Sequence, residues 1–116
     1  MITRIVISFL IGQLLFLSGC AMQQKQYVWE DYSSTLYQMK KNPSAETIKQ
    51  HMDELTNIME RSKELNLRVP PGVYCEYGFL LMKEGKKEEA FRYFDLEQQT
   101  YPESIVFITN LKGQIQ

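Results

Sequence analysis

The stretch PPGVYCEYGFLLMKEGKKEEAFRYFDLEQQTYPES, residues 70–104, decides the fold. Two prolines and a glycine open it, a junction that forbids a continuous helix but suits the first turn of a new one. From there Tyr74, Tyr77, Gly78 and Leu81 recur at three- and four-residue spacing, the period of one helix face. Gly85 suits the left-handed residue that ends a helix, and Lys86-Lys87-Glu88-Glu89 starts another. On that second helix Ala90 and Phe94 stand one turn apart, and Pro102 closes the segment. The pattern predicts a helical hairpin whose members approach at Gly78 and Ala90, positions with almost no side chain. Tyr74, Tyr77, Leu81 and Phe94 then fill the volume around the crossing.

The order of large apolar, small, large apolar, then alanine, aromatic and proline resembles a tetratricopeptide repeat, a two-helix unit of about 34 residues. Glu97 stands where that repeat has a small residue, which marks a degenerate or capping version. Its carboxylate is expected to accept hydrogen bonds from backbone amides near Glu103 and Ser104, a structural role.

Working toward the N-terminus, Ile48, Met52, Leu55, Ile58, Met59 and Leu65 trace one stripe, with charged residues on the other faces. This predicts a long helix over 45–65, with Ser44 as its cap and Asn66 as its end. Tyr27, Trp29, Tyr32, Leu36, Tyr37 and Met39 predict an earlier helix from Tyr27 to the Asn42-Pro43 break. Trp29, Tyr32, Ser33 and Leu36 weakly echo the repeat spacing. Toward the C-terminus, Ile105, Ile108, Leu111 and Ile115 predict a closing helix over the end of the stack, which stacked repeats need. No apolar and polar alternation is long enough for a strand. The expected fold is all-α, a tetratricopeptide-like stack of about five helices: two helical hairpins and a C-terminal capping helix over 27–116.

The chain begins differently. Arg4 precedes an apolar run, Ile5 to Leu17, that is too short to span a bilayer, which takes about 20 residues. Leu17-Ser18-Gly19-Cys20 then resembles the lipobox of bacterial lipoproteins, which implies a cleaved signal peptide over 1–19 and covalent lipid on Cys20, with palmitate among the acyl chains. A plain secretory signal with a chance cysteine and an uncut short anchor are the competing readings. Ala21, where an aspartate would resemble an inner-membrane retention signal, favours the outer membrane, with the domain facing the periplasm. Residues 20–26 read as the lipidated cysteine and a polar tether, with a reach of roughly 13 Å for its six free residues.

The chain resembles, from about Tyr27 to Leu111, a family of small bacterial lipoproteins catalogued as domain of unknown function 4810. The resemblance rests on Tyr27-x-Trp29-x-x-Tyr32, Pro70-Pro71-Gly72-x-Tyr74, Gly78, Gly85, Ala90, Glu97 and Tyr101-Pro102-Glu103-Ser104. It implies an envelope complex, because members are encoded beside a lipoprotein similar to the curli-secretion pore subunit, and it implies no assigned activity.

Chemistry is sparse. The formal net charge of −1 argues against nucleic acid as a partner. His51, the single histidine, reads as a partly buried structural residue lacking a fixed partner. Two cysteines, one of them in the lipobox, exclude a disulfide framework, and Cys75 has no base to activate it. No phosphate loop, nucleophile elbow or zinc-protease motif is present, so neither an enzyme, a metal, a cofactor nor a small-molecule substrate is expected. The tyrosines read mostly as wedges between helices. Cys75, Phe79 and Met82 form a stripe offset from the hairpin face and are the candidate partner-binding residues. The expected function is a lipid-anchored scaffold or adaptor, with the groove of the first and third helices contacting another envelope protein. The alternative is a regulator of a cell-wall synthesis enzyme.

Overall fold

The computed structural model describes residues 1–3 and 25–115. The rest of the expected signal peptide, Cys20 and most of the tether lie outside the described residues. The domain is all-helical: α1 (Tyr32–Lys41), α2 (Ala45–Glu64), α3 (Val73–Lys83), α4 (Lys87–Thr100), a 3-10 turn (Pro102–Ser104) and α5 (Ile105–Ile115). Helices α1 and α2 form one hairpin, α3 and α4 a second with the most extensive pairing, and α5 follows. Among the described residues there is no strand.

Local chemistry sets the boundaries. Ser44 caps α2 through a capping box: its hydroxyl accepts from the Thr47 amide at 3.1 Å while the Thr47 hydroxyl accepts from the Ser44 amide at 3.0 Å. Asn66, with φ 53, turns the chain out of α2, and the Leu67 amide closes back on the Ser62 carbonyl at 2.8 Å. Gly85, with φ 80, ends α3 in a Schellman arrangement, in which the Lys86 amide reaches the Leu81 carbonyl at 3.0 Å.

The first helix starts later than its aromatic pattern predicts. Glu30 adopts a left-handed φ of 38, which breaks any helix begun at Tyr27, and the Asp31 amide donates to Glu54 Oε1 on α2 at 3.0 Å. Before that turn Val28 is fully buried, so the segment leading from the tether is pinned to the domain. Two stripe residues also differ from expectation. Leu65 lies beyond the end of α2 and is exposed, and Ile105 at the start of α5 is exposed as well.

The core runs through both hairpins and under α5: Leu55 and Ile58 of α2, Leu81 of α3, Phe94 of α4 and Ile108 of α5 are buried to within 1 %. The α3–α4 crossing has almost no spare room. A Cβ on Gly78 would sit 2.8 Å from Phe94 Cε1 and 3.0 Å from the Ala90 carbonyl oxygen. Tyr77 and Tyr93 flank the crossing edge to face at 4.6 Å, the wedge expected of these tyrosines. Gly78→Ala is therefore expected to overpack the hairpin and cost about 1–3 kcal/mol, read as a lower melting temperature with helicity retained at low temperature.

Candidate functional site

The two seams beside α3 differ. On one side, α1 and α2 are stitched to it through a buried polar chain. His51 of α2 is fully buried, with Nδ1 2.7 Å from the Thr35 hydroxyl of α1 and Nε2 3.0 Å from Glu76 Oε1 of α3. The Tyr32 hydroxyl donates to Glu76 Oε2 at 2.6 Å. An ionised Glu76 assigns the ring hydrogen to Nε2, leaving Nδ1 to accept from Thr35. The structural role expected of His51 thus has fixed partners, and the seam between the first and third helices is closed by them.

On the other side, α5 packs on α4 and the 3-10 turn without drawing its backbone up to α3. Between α3 and α5 lies a groove of about 430 Å³. Cys75, Glu76 and Phe79 form one wall, Phe107 and Leu111 the other, and Glu97 of α4 lies between them. Phe79 is 43 % exposed and Phe107 61 % exposed. Of the two seams beside α3, the open one therefore lies against the last helix, not against the first.

Of the three candidate binding residues, the structure brings Cys75 and Phe79 into this groove. Met82 is half-buried and packs against the core. Lys83 lays its ammonium 4.8 Å from the centre of the Phe79 ring, at the rim. Cys20 lies outside the described residues.

Glu97 does not serve the amides of Glu103 and Ser104. Instead its Oε1 accepts from the Gly72 amide at 2.7 Å, at the start of α3. Gly72 has no side chain to cap α3, so a carboxylate from α4 supplies the acceptor across the hairpin. Its second oxygen, Oε2, is buried without a hydrogen-bond partner. Burial raises the Glu97 pKa above its ordinary value, and the amides of Gly72, Cys75 and Tyr74 offset only part of that rise. In Glu76 burial pulls the same way, but the bonds from His51 and Tyr32 outweigh it and hold the carboxyl below its ordinary value. Burial, with Glu97 and Glu76 nearby, pushes the Cys75 thiol up to about 11, so at neutral pH it is a protonated apolar wall and not a nucleophile.

Glu76 and Phe107 also line the groove, without having been singled out in the sequence. Phe107 had a signal: Ile105, Val106, Phe107 and Ile108 are four consecutive apolar residues, more than one buried stripe can use. Glu76 had none, since its partner His51 is 25 residues away.

Among the described residues, no group of three or more His, Cys, Asp or Glu could hold a metal ion, and no helix is long and apolar enough to cross a membrane. Residues 26–111 match a family described as Domain of unknown function (DUF4810). No curated protein and no solved structure matches the chain.

The Glu76 network sets a pH dependence. A carboxyl whose folded pKa lies below 4.5 contributes stability that is present above that value and lost as pH falls through the folded pKa. Glu76→Gln places an amide donor against the Tyr32 or His51 donor and is expected to cost about 1–3 kcal/mol at pH 7. The gap from the parent chain should shrink as pH falls below 4.5, measured by denaturant melts across that range.

Proposed function

The chain belongs to the DUF4810 family, and we propose that it is a lipid-anchored adaptor of the cell envelope that docks another envelope protein in the groove between α3 and α5. The observation that carries this reading is the groove itself: an apolar cleft flanked by two exposed phenylalanines, on a domain that follows a lipobox-like sequence. Exposed aromatics beside a preformed cleft have the composition of binding hot spots.

Covalent lipid on Cys20 supplies location, at the outer membrane with the domain on the periplasmic side. The burial of Val28 supports a short leash, because chain that packs on the domain cannot extend away from it. Read from the sequence as the tether, residues 21–26 give a reach of roughly 13 Å. That distance favours a partner embedded in or anchored to the same membrane, such as a pore-type lipoprotein similar to the curli-secretion subunit, over an enzyme working in the cell wall.

Two variants separate anchoring from docking. Cys20→Ser is expected to abolish lipid labelling and leave an unprocessed precursor. Phe79→Ser with Phe107→Ser is expected to keep labelling and melting temperature close to those of the parent, because both rings are exposed. The same pair should deplete crosslinked envelope partners about tenfold, the effect of about 1.4 kcal/mol. Undiminished partner recovery from the double variant would contradict docking in the groove.

A further inference from the structure

The groove between α3 and α5 is apolar in shape but not neutral. Its lining includes two carboxylates, Glu76 and Glu97, and no lysine, arginine or histidine. The two are held differently. Glu76 is one-quarter exposed at its side chain, and each of its oxygens accepts one bond, so lone pairs remain for a further donor. Glu97 is only 4 % exposed, with one oxygen bonded to the Gly72 amide and the other unpartnered.

An apolar segment laid in the groove would displace water from Glu76, the more exposed of the two carboxylates. Left without an answering charge, that desolvation opposes binding. A basic side chain reverses the sign, since a cation brought between apolar walls meets this negative field at low dielectric, where attraction is stronger than in water.

We infer that the groove takes a segment of a partner protein that presents one lysine or arginine flanked by apolar residues. The flanking residues pack on Phe79, Phe107 and Leu111. The cation pairs with Glu76, and Glu97 beneath it adds to the field. Lys83, whose ammonium covers the Phe79 ring at the rim, disfavours further cations at that end and so limits the number of basic residues the segment can carry. This rests on the reading of the groove as a docking site and names what that site selects.

The test is selection of a random peptide library on phage against the full-length chain held in lipid nanodiscs, with empty nanodiscs subtracted. The selected sequences should share one lysine or arginine among apolar residues and lose binding to Phe79→Ser with Phe107→Ser. Replacing that basic residue by norleucine in the leading peptide should weaken binding about fivefold or more, and the lysine form alone should weaken with added salt. On Glu97→Gln, which keeps the side chain's shape and an acceptor for Gly72, the preference for lysine over norleucine should shrink. Glu76→Gln, measured well below its melting temperature, should shrink it further. Apolar sequences with no basic residue, bound in a Phe107-dependent way, would overturn the charge selection and leave the docking site standing. No groove-dependent peptide, or occupancy only by a second copy of the chain, would overturn both.

Discussion

The domain depends on how closely α3 and α4 approach at Gly78. The hydrogen of that glycine faces the ring of Phe94 and the carbonyl of Ala90, at distances a methyl group could not occupy without displacing one helix. This contact fixes the angle and height of the second hairpin, and other features follow from it. Glu97, one turn beyond Phe94, is brought to the start of α3, where it supplies the acceptor that Gly72 cannot. The same carboxylate then lies between the walls of the groove. Capping a helix with a buried carboxylate from a neighbouring helix costs desolvation, in keeping with the raised Glu97 pKa, and it places a second carboxyl group beside Glu76 in an otherwise mostly apolar cleft.

The two sides of α3 contrast: the seam with α1 and α2 is closed, and the seam with α5 is open. Thr35, His51, Glu76 and Tyr32 join three helices through hydrogen bonds that span 44 residues of sequence, so the α1 side is fastened by geometry as well as by packing. On the α5 side the fastening is light. Ile108 is buried and Lys112 pairs with Asp95, while Ile105, Val106 and Phe107 remain in solvent. A helix that buries one residue fully and exposes three large apolar ones is a partial cover for the stack and leaves apolar surface beside the groove.

Much of this was legible in the sequence where the cause was local. The Ser44 cap, the left-handed Gly85, the Pro70-Pro71-Gly72 junction and the small residues Gly78 and Ala90 act within a turn or across one hairpin, and each led to the right element. Tyr27 to Trp29 misled because a helical spacing of aromatics does not reveal the turn at Glu30, which is held by Glu54 and by Arg61 at 3.7 Å from the other helix of the hairpin. The lining of the candidate groove was half legible. Cys75 and Phe79 share a face that periodicity finds, but Met82 leans back to the core, and the opposite wall at Phe107 depends on where α5 settles. The partners of Glu76, His51 and Glu97 are long-range pairings between polar side chains, and no spacing in a single sequence encodes them.

The central claim is that the partner sits between α3 and α5. Site-specific photocrosslinking in intact cells tests it most directly, with benzoylphenylalanine replacing Phe79, Phe107 or, as a control on the outer face of α2, the exposed Lys49. The account predicts a shared adduct from positions 79 and 107 and none from position 49. Adducts from position 49 alone, or none at either groove position with the chain properly processed, would contradict it.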